Sequence, residues 1–209
     1  MIISNPLTIW LNQWKVPGFC IPGQTKANTI WLTIDDGPSL HINRLMDFLA
    51  ETNTPALHFF SADKKDRLQQ LPEIPAGSAI GLHGYSHCRY NQLTLDELIA
   101  EIDQCRQSPL TRYPLFRPWF RSPYGSWRPG LHTLLREAGW KPLYWGFLAG
   151  DWVPSFQPEQ LQKLSSQWLK PGMIIVLHDK DHQTDRLIQS VEVITRICHE
   201  HHFSIGKWT

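Results

Sequence analysis

The chain has 209 residues, of which 42% are hydrophobic, and this composition excludes an intrinsically disordered protein. Twenty Lys and Arg residues against nineteen Asp and Glu residues give a net charge of +1, without the basic excess that binds nucleic acid or anionic lipid. No apolar stretch is as long as the roughly 18 residues that a membrane span needs. We therefore expect a monomeric globular protein with no membrane span and no nucleic-acid partner.

No feature of the chain marks a domain boundary, because it contains no internal repeat, low-complexity tract or Ser/Gly linker. We expect one domain over residues 1–209. The segment before Trp14 has neither the basic start nor the apolar run of a signal peptide, so we expect a cytoplasmic protein. An extracytoplasmic location would follow if a leader is missing from the chain. The four cysteines have no paired spacing and are expected to be reduced thiols (Cys20, Cys88, Cys105 and Cys198).

Short apolar runs alternate with helical patterns in the first half of the chain, which is typical of βα units. Ser39 is predicted to cap the first helix. Thr94 and Glu97 are spaced for a capping box at the start of a later helix. The predicted strands are Ile30–Ile34, Ala56–Phe60 and Ala79–Leu82, and the predicted helices carry Ile42 to Leu49, span about Ala62 to Leu71, and follow Thr94.

The alternation continues in the second half. Pro129 is predicted in the first turn of a helix that ends near Gly139, and Pro158 at the start of a helix that runs to about Leu169. The other predicted elements are strands at Trp119–Ser122, Leu143–Phe147, Met173–Leu177 and Phe203–Lys207, and a helix from Thr184 to His199. About seven strands alternating with helices predict an α/β fold with a parallel barrel or a doubly wound sheet.

Polar residues follow five of the predicted strands where each strand ends. In parallel α/β folds these carboxyl ends form one rim, and chemistry gathers there. Successive polar groups are about one βα unit apart, so all five can meet at that rim. They are Asp35-Asp36-Gly37-Pro38, His83-Gly84-Tyr85-Ser86-His87, Arg121-Ser122-Pro123-Tyr124-Gly125, Asp151-Trp152 and His178-Asp179.

Three of these groups contain residue types that bind metals. His83 and His87 are four residues apart, so on a helical turn both imidazoles would face the same way. With a carboxylate they would make an open three-ligand zinc site. The adjacent carboxylates of Asp35 and Asp36 repel each other and need a cation or proton between them. The structural alternatives are solvated or core histidines and an Asx-type turn.

The remaining groups suggest pairs of charged side chains. Arg121 could clamp a carboxylate or form an ordinary surface ion pair. His178 ends an apolar strand, where a polar side chain either faces a site or is a hydrogen-bonded core histidine. Asp151 is the natural candidate to hold His178 in one tautomer. The functional interpretation rests on the coincidence of five such groups at one rim.

The five groups together resemble the motifs of the NodB-homology polysaccharide deacetylases, carbohydrate esterase family four. The resemblance covers about Trp31 to Trp208, which makes residues 31–208 the core and residues 1–30 an N-terminal lead-in segment. The chain departs from the family pattern at Leu148, Cys88 and Val176. The matching segments are Thr33 to Pro38 (T-F-D-D-G-P in the family), His83 to His87 (H-[ST]-x-x-H), Arg121 to Gly125 (R-x-P-Y-G), Asp151-Trp152 (the end of D-x-x-D-W) and Val176 to His178 (L-x-H).

This resemblance implies a single-domain, distorted (β/α) barrel with about seven parallel strands. It also implies one divalent metal ion, with Zn²⁺ expected first and Co²⁺, Ni²⁺ or Mn²⁺ as alternatives. The implied site has metal ligands Asp36, His83 and His87, a general base Asp35 oriented by Arg121, a general acid His178 tuned by Asp151, an oxyanion-binding backbone N–H at Tyr124, and an acetyl pocket lined by Trp152 and Val176.

The implied activity is hydrolysis of acetyl groups from the N-acetylated amino sugars of a polysaccharide or oligosaccharide, with release of acetate. The expected partner is therefore a carbohydrate substrate. One alternative is an O-acetyl carbohydrate esterase that acts on acetylxylan-like substrates. Another is a non-catalytic carbohydrate-binding protein, although such a relative should have lost an Asp, His or Arg of the motifs. Trp119, Tyr124 and Trp127 could stack on sugar rings or simply pack.

Overall fold

The computed structural model of the protein describes residues 28–208. Most of the predicted lead-in and Cys20 lie outside the described residues. The strands are β1 (Thr29–Gly37), β2 (Leu57–Phe60), β3 (Ala79–Leu82), β4 (Phe116–Phe120), β5 (Lys141–Pro142), β6 (Phe147–Leu148), β7 (Ile174–His178) and β8 (Ser204–Ile205). Seven of them form a parallel sheet in the order β5-β4-β3-β2-β1-β7-β6, and β8 pairs with the start of β1. This curled sheet confirms the predicted distorted barrel.

Within residues 28–208, six α-helices connect the strands. They are α1 (Ile42–Glu51), α2 (Lys65–Leu68), α3 (Leu95–Gln107), α4 (Leu131–Glu137), α5 (Pro158–Trp168) and α6 (Thr184–Glu200). The capping box predicted for α3 is present, with Thr94 accepting from the Glu97 N–H and Glu97 accepting from the Thr94 N–H. Within the part of the chain that the structure describes, no helix is both long and apolar enough to cross a membrane.

Side chains alternate between the two faces of the sheet, as strand geometry requires. On β1, Ile30, Leu32 and Ile34 belong to the larger core cluster, which also contains the buried residues of the helices. The opposite face is concave and carries a second cluster, formed by Trp31, Leu57, Phe59, Ala79, Leu143, Ile174 and Trp208. The inside of the barrel is therefore apolar at the level of this cluster, and the polar site lies further along the same strands.

The predicted strand Leu143–Phe147 is wrong, because this segment connects the two edges of the curled sheet. The chain pairs first with β4 through β5, where the Leu143 N–H donates to the Phe120 carbonyl oxygen. It then crosses to β7, where the Gly146 N–H donates to the Ile174 carbonyl oxygen before β6 begins. One apolar run thus pairs first with β4 and then with β7. The alternation of apolar and polar residues in the sequence does not show this change of partner.

Two other strands differ from their predicted limits. The strand predicted at Trp119–Ser122 is β4, which begins at Phe116, and hydrogen bonding to β3 continues through the Arg121 N–H to the Leu82 carbonyl oxygen. The strand predicted at Phe203–Lys207 is reduced to the two residues of β8. Apolar runs thus locate these strands, but pairing with the neighbouring strand fixes where each one ends.

Three helix starts also differ from the predictions. Ser39 does not cap α1, because its Oγ atom has no hydrogen-bond partner among the described residues and the helix begins after His41. The predicted helix over residues 62–71 is reduced to the single turn α2, because the Ala62 N–H instead donates to the Gly84 carbonyl oxygen. Pro129 precedes α4 rather than opening it, and Gly130 is the N-cap. Cys88, Cys105 and Cys198 are free cysteines.

One buried polar side chain on β2 is exceptional. His58 is fully buried on the helix-facing side of the sheet, and neither ring nitrogen has a hydrogen-bond partner among the described residues. Burial therefore lowers the pKa of His58 from its usual value to about 3. Because this value lies below that of an unfolded histidine, His58 is neutral in the folded chain. Its contribution to stability is complete above about pH 6.5 and is lost as the pH falls toward 3.

We predict that His58→Leu reduces the acid sensitivity of the fold. Between pH 7 and pH 5, wild-type protein should lose about 2 kcal/mol more unfolding free energy than the variant, since the unfolded state alone takes up the proton. Denaturant unfolding at the two pH values measures this difference. His199→Leu changes an exposed histidine of α6 and should keep the wild-type pH dependence. Equal pH dependence of wild type and His58→Leu would contradict the prediction.

Candidate active site

The carboxyl ends of the central strands surround a cavity of about 430 Å³. The structure brings together all ten residues that the sequence predicts for the site. Eight of them line the cavity: Asp35, Asp36, His83, His87, Tyr124, Trp152, Val176 and His178. The other two, Arg121 and Asp151, are buried behind it and contact Asp35 and His178.

An irregularity at the end of β1 places two adjacent carboxylates at this cavity. Successive residues of a regular strand point to opposite faces. The pairing of β1 with β2 shifts register between Ile34 and Gly37, and Asp36 has a left-handed backbone with φ of 71°. Such a bulge re-aims a side chain. Asp35 follows the inward-facing positions of β1, and the bulge directs Asp36 to the same cavity.

Asp36 forms a cluster with two histidines. The Asp36 Oδ1 atom lies 2.7 Å from His87 Nε2 and 3.2 Å from His83 Nε2. The three candidate ligand atoms all lie within 4.8 Å of one another, and the group could hold a metal ion. Two imidazole nitrogens and one carboxylate oxygen are the donor set of many catalytic zinc sites, which leave a coordination position open.

The two histidines do not lie on a helical turn, so this part of the sequence argument is wrong. His83 directly follows β3, and His87 lies in the irregular segment after it with φ of 54°. Gly84 permits the chain to turn, because it has φ of +73° and a Cβ there would lie 2.6 Å from Tyr90 Oη. A loop rather than helical spacing therefore brings the two imidazoles together.

Glu101 holds this loop and is a residue that the sequence analysis missed. It is 8% exposed and its Oε1 atom accepts hydrogen bonds from the Tyr85 and Ser86 backbone N–H groups at 2.8 and 2.9 Å. Its Oε2 atom accepts from Ser86 Oγ. A signal was available, because Glu101 lies on the buried face of α3 with Leu98 and Ile102, where a charged side chain needs a partner.

The hydrogen bonding of His83 is compatible with a metal ion. His83 Nδ1 is 2.9 Å from the Arg121 carbonyl oxygen, which can only accept, so Nδ1 carries a proton. Its Nε2 can face the Asp36 carboxylate only as an imidazolium or with a cation between the two atoms. Burial alone would raise the pKa of Asp36, but hydrogen bonds with His83 and His87 and the charges of His83 and His178 outweigh it and hold the pKa well below its usual value. The residues present thus fit a divalent cation.

Arg121 lies beneath the cavity and is 1% exposed. Its guanidinium donates to Asp35 Oδ1 at 2.8 Å and to Thr33 Oγ1 at 2.6 Å. It also donates to the backbone carbonyl oxygens of Leu143 and Tyr144. These carbonyl groups satisfy the guanidinium without an aspartate at position 148, where the chain departs from the family pattern. Asp35 is consequently held in one orientation by a buried ion pair.

His178 lies on β7, where it is paired in register with Asp35 of β1. The His178 Nδ1 atom is 2.9 Å from Asp151 Oδ1, and Asp151 Oδ2 accepts from the His178 backbone N–H. Burial lowers the pKa of His178, but the charge and hydrogen bond of Asp151, together with the charges of Asp35 and Asp36, outweigh it and raise the pKa above its usual value. Trp152 packs edge-on against this imidazole at 4.6 Å between ring centroids. The Nε2 side of the ring remains available at the cavity.

Of the other aromatic residues considered for substrate binding, some line the cavity and some do not. Tyr124 lines it and has a left-handed backbone with φ of 58°. Its N–H has no hydrogen-bond acceptor within residues 28–208. Trp145 lines the cavity and was not predicted, whereas Trp119 packs against the inner core cluster. Trp127 is exposed.

Four more residues that the sequence analysis did not assign to the site also line the cavity: Arg89, Gly125, Leu148 and Lys180.

Comparisons with known proteins give the family. The family model described as "Polysaccharide deacetylase" matches residues 22–143. The chain therefore belongs to the polysaccharide deacetylase family. It is similar to a chitooligosaccharide deacetylase of Azorhizobium caulinodans, with 25% identity over 73% of this chain and 74% of that protein. It is also similar to chitin deacetylase 3 of Cryptococcus neoformans var. neoformans, with 27% identity over 77% of this chain but only 43% of that longer protein.

A solved structure supports the fold. A peptidoglycan N-acetylglucosamine deacetylase superimposes with a TM-score of 0.76 at 20% identity, over 96% of this chain and 94% of that one. The residues matched by the family model contain Asp35, Asp36 and the two cluster histidines, but not Asp151 or His178. The functional assignment of this second pair therefore depends on the geometry described above.

We predict that Asp36→Asn weakens zinc binding by about tenfold or more, because a neutral amide is a poor ligand for a divalent ion. Calorimetric titration of metal-free protein should give about one Zn²⁺ per wild-type chain. The matched control is Asp35→Asn, which removes the neighbouring carboxylate but retains an oxygen to accept from Arg121. It should bind zinc with near wild-type affinity. Unchanged affinity in Asp36→Asn would refute the ligand assignment.

Proposed function

We propose that this chain is a metal-dependent hydrolase that removes acetyl groups from N-acetylated amino sugars and releases acetate. The observation that carries the proposal is the arrangement at the cavity. A three-ligand cluster is flanked by two acid–base groups, Asp35 and His178, on adjacent strands. Each group has its own buried partner, Arg121 or Asp151. Family membership supports the same reaction class.

Asp36, His83 and His87 would hold the divalent ion. Zn²⁺ is expected first, with Co²⁺, Ni²⁺ or Mn²⁺ as alternatives. When bound, such an ion acts as a Lewis acid toward the acetyl carbonyl and lowers the pKa of water. The hydrogen bond from His83 Nδ1 to the Arg121 carbonyl oxygen supports this role, because it leaves Nε2 as the ligand atom.

Asp35 would act as the general base. Its carboxylate lines the cavity beside Asp36, so it can accept a proton from the attacking water. The Arg121 guanidinium occupies one side of this carboxylate and fixes its orientation. Because the base is a separate residue from the ligand Asp36, proton transfer does not require a ligand to leave the ion.

His178 would act as the general acid. An amine is a poor leaving group unless it gains a proton, so the acid must be protonated when the tetrahedral intermediate collapses. Asp151 supports this state by accepting from Nδ1 and by raising the pKa of His178 despite the burial that lowers it. The proton would be donated from Nε2, on the side of the ring that faces the cavity.

Two further features support an acetyl substrate. The Tyr124 N–H would donate a hydrogen bond to the oxyanion of the tetrahedral intermediate, and such a donor is worth about 3–4 kcal/mol in comparable sites. Leu148, Trp152 and Val176 give the cavity an apolar wall that suits the acetyl methyl group. The names of the relatives support an N-acetylated amino sugar in an oligosaccharide or polysaccharide.

An O-acetyl esterase remains the principal alternative, since the same site would cleave an ester more readily than an amide. A non-catalytic carbohydrate-binding protein is disfavoured, because every acid–base and ligand position of the motifs is occupied by a suitable residue. A single domain over residues 1–209, a monomeric state and a cytoplasmic location remain predictions.

We predict acetate release from N-acetylglucosamine oligosaccharides when zinc-loaded protein is incubated with a panel of N- and O-acetylated carbohydrates. An enzymatic acetate assay measures the rates, with chelator-treated protein as the control. Acetate release from O-acetylated xylan alone would favour the esterase. The absence of acetate from every substrate would contradict the proposed hydrolase and favour a binding protein.

We predict that His178→Ala impairs an N-acetyl substrate at least about a hundredfold more than an acetyl ester with an activated phenol leaving group, which leaves without a proton. The measurement is kcat/KM for both substrates in wild type and variant. Zinc content, determined in the same preparations, controls for loss of the metal site. Equal losses on the two substrates would show that His178 is not the general acid.

A further inference from the structure

Two cationic side chains border the cavity, and the proposed reaction uses neither. Arg89 follows the loop that carries His87, and Lys180 follows β7. Both line the cavity together with the proposed site residues. Hydrolysis of a neutral acetylated sugar does not require these charges. We therefore consider a role for them in substrate binding.

Arg89 is exposed and held by an aromatic ring. Its guanidinium carbon lies 4.2 Å from the centroid of the Tyr124 ring. Within residues 28–208 its guanidinium has no carboxylate at ion-pair distance and donates no hydrogen bond to the protein. Stacking fixes the plane of a guanidinium and leaves its N–H edge free. Arg89 therefore presents an oriented fork of donors at the cavity, and such a fork fits a carboxylate or phosphate.

The carboxylates near the cavity are already matched by other charges. Asp35 pairs with Arg121, and Asp151 pairs with His178. Asp36 contacts both cluster histidines and would also bind the metal ion. Asp63, Asp179 and Asp181 line an adjoining pocket with Tyr124 and Lys180, but among the described residues none of these carboxylates forms an ion pair with Arg89.

Lys180 is the second cation at the cavity. Its Nζ atom is 3.4 Å from Asp36 Oδ2, and its side chain is 37% exposed. A divalent cation bound to Asp36 would compete for the same carboxylate and leave the ammonium group available to a ligand.

From these observations we propose that the preferred substrate is an acetylated amino sugar that bears an anionic substituent, either a carboxylate or a phosphate ester. This inference rests on the proposed deacetylase function. Arg89 would bind the anion in a bidentate manner, and Lys180 would contribute a second positive charge at the same cavity. Tyr124 would support Arg89 in addition to donating its N–H. Arg89 is thus a specificity-determining residue rather than a participant in bond cleavage.

The experiment compares three disaccharides of N-acetylglucosamine that differ in one substituent: none, a 3-O-carboxyethyl ether, or a phosphate ester. Wild-type protein loaded with zinc should deacetylate one or both anionic disaccharides with a kcat/KM at least about tenfold above the neutral one, as expected for a charge-assisted hydrogen-bonded pair. A response to the carboxylate, the phosphate or both identifies the source of the anion.

The variant Arg89→Gln tests the residue, because glutamine keeps a planar polar group over Tyr124 but removes the charge. The ratio of kcat/KM between anionic and neutral disaccharides should fall about tenfold toward one. Arg112→Ala removes an exposed arginine that does not line the cavity and should keep the wild-type ratio. A wild-type ratio of one or less, or an unchanged ratio in Arg89→Gln, would overturn the inference.

Failure of the proposed function is distinguishable from failure of this inference. If none of the disaccharides releases acetate, the deacetylase proposal fails, and calorimetric affinities of the same three compounds then test the charge preference directly. Tighter binding of an anionic disaccharide that is lost in Arg89→Gln would still support the anion site. Equal affinities for all three compounds would refute it.

Discussion

A buried guanidinium connects the closure of the barrel to the geometry of the site. Arg121 donates to Asp35 and Thr33 of β1, and to the backbone of the segment that crosses between β5 and β6. Its own carbonyl oxygen accepts from His83. Loss of one partner of a buried ion pair typically costs about 3–5 kcal/mol, because the other charge is left uncompensated. The contacts that orient the proposed base and one metal ligand therefore also hold the open side of the sheet together.

The two proposed acid–base groups lie on adjacent strands, but their buried partners carry charges of opposite sign. Asp35 faces the positive charge of Arg121, whereas His178 faces the negative charge of Asp151. Arg121 orients the carboxylate of Asp35, and Asp151 favours the imidazolium of His178, which matches a base and an acid in one reaction. Asp36 and the two histidines line the same cavity, so the ligand set is separate from the groups that would move protons.

Much of this site could be predicted because it follows from strand geometry. On β1, β3, β4 and β7, an inward-facing residue deep in the barrel is apolar. The inward-facing residue two or four positions later, near the end of the strand, is polar. Trp31 precedes Asp35, Ala79 precedes His83, Trp119 precedes Arg121 and Ile174 precedes His178 on the same faces. A polar residue just past a buried strand is visible in the sequence, so Asp35, His83, Arg121 and His178 could be placed at one rim, whereas Val176 was predicted only from the family resemblance.

The parts that could not be predicted depend on contacts between distant segments. The bulge that turns Asp36 toward Asp35 and the loop that brings His87 to His83 have no periodic signature. The segment between β5 and β6 resembles one strand, because its two pairing partners are far apart in sequence. Glu101 was detectable only as a charge on an apolar helix face, and its partners were not. Local patterns thus identified the elements and the reacting groups, while packing determined how the groups meet.

The central claim is that one divalent ion at Asp36, His83 and His87 makes this cavity a deacetylase. The most direct measurement is acetate release from an N-acetylglucosamine oligosaccharide while zinc is added stepwise to metal-free protein. We predict that the rate rises linearly and stops rising at about one equivalent of zinc per chain, as expected for a single catalytic site with one open position. Acetate release that is independent of added zinc in rigorously metal-free protein, or no release at any zinc level, would contradict it.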